Sequence, residues 1–180
     1  MKQRLFLSSV LLLLMVFGVN MMYAQKVNWL VGMRLGLSLV STPGADAYNW
    51  QTGKTETVGG GVKAGFQFGP TAEVIFSKTY AVVENLNINT QTGTPIEWQS
   101  LFKYYFNIKG STIKPYAQAG FSLIFITGGP YISIPFGGGA LFQLAKNVYL
   151  PADLIFGPIF GGGTTVFGVE VTTGIRYFFD

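Results

Sequence analysis

Residues Thr165 to Phe179 read TVFGVEVTTGIRYFF, and taking every second residue separates two chemically different sets. Thr165, Phe167, Val169, Val171, Thr173, Ile175, Tyr177 and Phe179 form one; Val166, Gly168, Glu170, Thr172, Gly174, Arg176 and Phe178 form the other, which holds both charges and both glycines. A period of two sustained over this length specifies a β-strand with two distinct faces. Which face meets solvent and which meets protein then decides the class of the chain.

The same period recurs from Val27 onward. Trp29, Val31, Met33, Leu35, Leu37 and Leu39 alternate with Asn28, Leu30, Gly32, Arg34, Gly36 and Ser38, and a polar stretch, Ser41 to Thr57, follows as a long loop. Val58 to Phe68 gives a second strand, Gly69-Pro70 a tight turn, and Thr71 to about Glu84 a third strand with Glu73 on its minority face. Lys78 falls on the wrong face of that strand, which implies a β-bulge or an interface. After a polar loop at Asn85 to Gly93, Ile96 to Ile108 makes a fourth strand, Ala117 to Phe125 a fifth, Ile132 to Leu144 a sixth and Val148 to Phe156 a seventh. Short turns are expected at Gly110-Ser111 and Lys146-Asn147, a break at Gly128-Gly129-Pro130, and a glycine-rich loop at Gly157 to Thr164. Eight strands with no intervening helix predict an all-β, antiparallel sheet. Short turns alternating with longer loops are the layout of an up-and-down transmembrane β-barrel.

Composition separates that barrel from a soluble one. Charged residues make up 11% of the chain and hydrophobic ones 49%, with a mean hydropathy of +0.38. A water-facing exterior needs lysines and glutamates in quantity, and they are missing. The bulky residues (Trp29, Leu35, Phe66, Phe106, Phe125, Phe142, Phe156, Tyr177) share one set of faces, while glycines, serines and a few charges share the other. A small barrel has little lumen volume, so the small residues belong inside and the bulky ones toward lipid. Trp29, Phe68, Phe106, Tyr177 and Phe179 are expected near the short-turn rim, and Trp98, Phe125, Phe156 and Phe167 near the long-loop rim, as interfacial girdles.

The first residues have a different character. Lys2 and Arg4 precede the apolar run Leu5 to Val19, with Ala24 beyond it. That pattern predicts a secretory signal peptide over residues 1–24, cleaved after Ala24 or, because Met22 is not the small residue expected two positions earlier, after Gly18. The run is shorter than the ~20 residues of a spanning helix. The barrel then occupies residues 25–180. Removing Lys2 and Arg4 from the net charge of +4 leaves +2, too little for a nucleic-acid footprint.

The faces assigned to the lumen carry Arg34, Lys63, Lys103 and Arg176 together with Glu73, Glu97, Asp153 and Glu170. Charges held away from water require partners. Arg34, Lys63, Lys103, Asp153 and Glu170 fall at similar heights above the short turns, and closure of the first strand on the last brings Arg34 toward Glu170. The expectation is a lumen plugged by an ion-pair network; the alternative is a watery interior without tight pairing. The chain has no cysteine and no histidine, which excludes disulfides, thiolate or imidazole metal sites and His-based triads. No carboxylate pair stands out for acid–base chemistry. The glycine runs at Gly59 to Gly61, Gly137 to Gly139 and Gly161 to Gly163 do not continue as phosphate-binding loops. No catalytic activity, cofactor or metal is expected.

LFKYYF (Leu101 to Phe106), KPYAQAGFSL (Lys114 to Leu123) and the terminal GIRYFF (Gly174 to Phe179) resemble the small porin-like outer-membrane β-barrel proteins of Gram-negative bacteria, with the flavour of those from Bacteroidetes. The resemblance implies an outer-membrane location, a monomer surrounded by lipid, and both termini in the periplasm. It also implies recognition by the barrel-assembly machinery through Phe179, with Tyr177, Ile175 and Thr173 at alternating positions and Asp180 following. A structural or surface-interaction role is expected, through the Ser41 to Thr57 and Asn85 to Gly93 loops and an unidentified surface partner. A narrow passive pore for ions or small solutes is the alternative.

Overall fold

Alternating side chains select strands, and the strands close on themselves. The computed structural model describes residues 28–42, 45–49, 54–58, 60–90, 95–126 and 129–179. The expected signal peptide (1–24), Asp180 and parts of the two polar loops lie outside the described residues. The strands are β1 (Asn28–Thr42), β2 (Ala45–Asn49), β3 (Lys54–Val58), β4 (Gly61–Ile75), β5 (Tyr80–Asn89), β6 (Ile96–Tyr105), β7 (Ile113–Ile126), β8 (Gly129–Ser133), β9 (Phe136–Ala145), β10 (Val148–Gly161) and β11 (Thr164–Phe179). Apart from the β2–β3 hairpin, they form one nine-stranded antiparallel sheet. β8 and β9 are successive halves of one stave, each pairing with both β7 and β10, so the nine strands make eight staves. β11 then pairs with β1 from Trp29↔Phe179 to Val40↔Gly168 and closes the barrel.

The two faces fall as the alternation requires, with the sense of a membrane protein. Leu35, Phe66, Val62 and Ile175 are 57–69% exposed on the outside, while Arg34, Glu73, Lys103 and Arg176 are at most 2% exposed within. Water would penalise this exterior heavily, whereas hydrocarbon would not. Aromatic rings cluster at the short-turn rim, where Tyr104 packs against Tyr80 and Phe106 with centroids 5.4 and 5.2 Å apart, and Tyr177 against Phe179 at 4.9 Å.

Several sequence expectations need correction. Gly69-Pro70 is not a turn: β4 runs straight through it, and the turn is at Phe76 to Thr79. Pro70 projects outward opposite Met33, and the ladder to β5 lapses at these two residues, where proline has no N–H to donate. The real turn is held by Ser77, whose hydroxyl accepts from the backbone N–H groups of Thr79 and Tyr80. Lys78 therefore sits exposed in a turn and needs neither a bulge nor an interface. Phe68 moves up to mid-strand, opposite Leu35.

Asn85, Asn87 and Asn89 are not loop residues but inward positions of β5, alternating with Leu86 and Ile88. Thr42 still belongs to β1, and the first long loop contains the β2–β3 hairpin. Most of the stretch taken as a glycine-rich loop is strand: β10 reaches Gly161, and only Gly162 and Gly163 turn, with φ of +57° and +77°. Two consecutive positive φ values are the tight-hairpin geometry that favours glycine. The sixth stave breaks at Ile134-Pro135, where Ile134 N–H donates to Pro158 O and Gly120 N–H to Pro135 O, holding the halves in place.

Arg34 lies between two glycines, Gly69 on β4 and Gly174 on β11. A Cβ at Gly174 would run into the Met33 carbonyl oxygen and Arg34 Cα. Gly174→Val is therefore expected to abolish the heat-modifiable, folded band on electrophoresis, whereas Thr173→Val on the neighbouring outward position leaves it intact.

Candidate functional site

The lumen is the only interior this fold offers, and the alternation of each stave decides what enters it. Arg34 projects from β1 and crosses the barrel. Its Nε donates to Thr172 Oγ1 (3.0 Å), Nη1 to Gln99 Oε1 (2.9 Å) and Nη2 to Glu170 Oε2 (2.8 Å). Thr172 and Glu170 stand on β11, next to β1, but Gln99 stands on β6, three staves away. Gln99 also accepts from Asn85 Nδ2 at 3.0 Å. The Thr172 hydroxyl passes the network on, donating to Asp153 Oδ2 at 3.3 Å. Asp153 Oδ1 accepts from the Tyr116 hydroxyl and from Gln118 Nε2 at 3.0 Å.

A second cluster lies nearer the short-turn end. Glu73 of β4 accepts from Arg176 Nη1, from the Tyr105 hydroxyl and from Lys103 Nζ, the last at 3.5 Å. Arg176 reaches it from β11 past β1, where its cross-strand partner is Gly32; a Cβ there would run into the Ile175 carbonyl oxygen and Arg176 Cα. Lys103 Nζ also rests 3.9 Å from the centroid of the Tyr116 ring, a cation–π contact that links the two clusters. Three carboxylates are thus met by charge or by several donors, the condition for burying them.

Of the eight charges assigned to the lumen from sequence, Arg34, Glu73, Lys103, Asp153, Glu170 and Arg176 come together. Glu97 and Lys63 stand apart. Glu97 is buried on β6 and accepts from Asn87 Nδ2 at a long 3.4 Å. Lys63 is not level with the others, because β4 continues past Gly69-Pro70 and so carries it up to the loop-end mouth, opposite Val40. Sequence reading missed the neutral members Gln99, Tyr105, Tyr116, Gln118 and Thr172; each lies on an inward position, so alternation alone would have found them. It also missed Glu84, which faces outward and is bound by Trp98 Nε1 (2.8 Å) and Ser100 Oγ (2.7 Å).

The clusters lie buried at the barrel's waist. Arg34, Gln67, Glu73, Gln99, Lys103 and Arg176 are each no more than 2% exposed, and Leu30, Ala81, Tyr105, Tyr116 and Leu141 pack as a buried apolar group. On the short-turn side, a cavity of about 340 Å³ is lined by Leu30, Tyr105, Lys78 and Lys114; on the loop side, one of about 360 Å³ is lined by Ser38, Glu97, Glu170 and several aliphatic residues. Among the described residues, no three metal-ligating side chains converge.

Breaking the lower cluster should be costly in a way that replacing it is not. Arg176→Met leaves Glu73 with a distant Lys103 and is expected to lower unfolding stability by about 3–5 kcal/mol, measured by urea titration in lipid vesicles. Combining Arg176→Met with Glu73→Met and Lys103→Met should restore most of that loss.

No protein-family model and no curated protein matches the sequence. Solved structures match throughout the barrel. Neisserial surface protein A aligns at 17% identity with a TM-score of 0.57, covering 85% of this chain and 99% of that one. The N-terminal β-barrel domain of Pseudomonas aeruginosa OprF aligns at 12% identity and 0.58, covering 86% and 98%. The outer membrane protein OprG from Pseudomonas aeruginosa aligns at 13% and 0.52, covering 86% and 97%. The fold is that of the small outer-membrane β-barrels, and the apolar belt suits it to that membrane.

Proposed function

We propose that the protein is an integral outer-membrane barrel of a Gram-negative bacterium with a structural or surface-interaction role, its lumen closed to solutes and its activity non-enzymatic. The observation that carries this reading is the waist. Side chains from β1, β4, β6, β7, β10 and β11 meet there in two hydrogen-bonded clusters joined by the Lys103–Tyr116 contact, and most of them are fully buried. An open pore would leave its lining charges hydrated. With the short turns and the termini toward the periplasm, the β2–β3 hairpin is held on the outer surface, where it serves as the contact for a partner. At the closing seam, Tyr177 and Phe179 are 46% and 52% exposed on the outer face of β11, which suits their reading as the barrel-assembly machinery's signal.

A narrow passive pore is the second reading, and one observation favours it. Among the described residues, Gln67, Thr71, Ser122 and Arg176 keep buried polar side-chain atoms without a protein partner, which suits a thread of water through the lumen. Planar-bilayer recording separates the two. The wild-type barrel is expected to give no stable channel events, and the double variant Arg34→Ala/Lys103→Ala to give stepwise conductance. Stable channels in the wild type would sink the closed-lumen reading and establish the pore.

A further inference from the structure

The loop-side cavity combines apolar walls with carboxylates. Ile124, Ile126, Tyr131, Ile159 and Val166 line it, with Ser38, Ser41, Asn89 and Thr164 among its polar residues. Its charged lining includes two carboxylates, Glu97 and Glu170. They are not equivalent. Glu170 holds an ion pair with Arg34 at 2.8 Å. Glu97 has no cation within ion-pair distance among the described residues; it is 8% exposed, and its hydrogen bond from Asn87 measures 3.4 Å, past the usual range, with the buried Ser122 beside it. Arg34 is near enough to act on Glu97, but all three of its guanidinium nitrogens are committed to Thr172, Gln99 and Glu170. The charge of Glu170, also near, adds to the demand for a cation at this point.

A buried carboxylate with a long hydrogen bond, facing a cavity whose walls are mostly apolar, is a receptor for a group that is cationic at one end and apolar at the other. The geometry points to a small-molecule site in the loop-side vestibule that takes a primary organic ammonium ion with a compact apolar body. The ammonium, with three donors, meets Glu97 and the free acceptor capacity of Glu170, while the body replaces water against Ile124, Ile126 and Ile159. The site lies on the loop side of the packed waist, so its occupancy does not depend on whether the lumen conducts.

The test uses the full barrel in zwitterionic lipid nanodiscs with 13C-labelled isoleucine methyl groups, titrated with phenethylammonium, its neutral isostere 2-phenylethanol and the anion 3-phenylpropionate. Saturable shifts are expected at Ile124, Ile126 and Ile159 with the amine and not at the outward Ile175, which reports partitioning into lipid. The alcohol should bind about tenfold more weakly or worse, as should the amine to Glu97→Gln. No saturable shift with the amine, equal affinity for the alcohol, or unchanged affinity in Glu97→Gln would each overturn the site. Should Glu97→Gln fail to refold, the amine–alcohol contrast in the wild type and loss of the shifts in the cavity-filling Ile159→Phe variant decide the question.

Discussion

A sheet in hydrocarbon cannot keep an edge, because unpaired backbone groups there have no water to turn to. The pairing of β11 with β1 is therefore the constraint on which everything else depends. It runs twelve residues, from Trp29↔Phe179 to Val40↔Gly168, and turns an open sheet into a closed wall. Once the wall is closed, each alternate side chain has a fixed destination, lipid or lumen. The lumen of an eight-stave barrel is narrow, so whatever points inward must be small or must find partners across it.

This chain does both at once, and the two solutions are interleaved. Arg34 is flanked by Gly69 and Gly174, and Arg176 faces Gly32. Each long cation thus has a cross-strand neighbour with no side chain. A Cβ at Gly32 would run into the Ile175 carbonyl oxygen, one at Gly69 into the Leu86 carbonyl oxygen and one at Gly174 into the Met33 carbonyl oxygen, so these glycines let the staves approach closely where the arginines stand. Removing a charge leaves its partner buried without compensation, while filling a glycine forces neighbouring backbones apart.

Much of this was legible in the sequence. Alternation along Trp29 to Leu39 and Phe167 to Phe179 identifies the outward and inward faces, and closure brings Arg34 to Glu170. What failed was punctuation. Gly69-Pro70 looks like a turn because its composition is that of turns, yet proline is tolerated in a strand where one hydrogen bond can be forgone. That single misplacement lowered Lys63 and made loop residues of Asn85, Asn87 and Asn89. Gly157 to Gly161 misled in the same way, since inward glycines in a narrow barrel are packing residues. Side-chain pairing across the lumen, such as Arg34 with Gln99, depends on barrel shear and tilt, which no local pattern specifies.

The eight charges assigned to the lumen from sequence sum to zero, but they are not evenly distributed. Nearer the short-turn end, Glu73 stands with Lys103 and Arg176, and the Lys103–Tyr116 contact joins them to Asp153. At the loop end, Arg34 serves Glu170, Gln99 and Thr172 together, and Glu97 is left with Asn87 at 3.4 Å. Burying a carboxylate with only the Asn87 amide and the Ser122 hydroxyl beside it costs stability that a glutamine at the same place would avoid. Set beside the mostly apolar walls of the loop-end cavity, that cost fits a site that receives a cation better than one built only to pack.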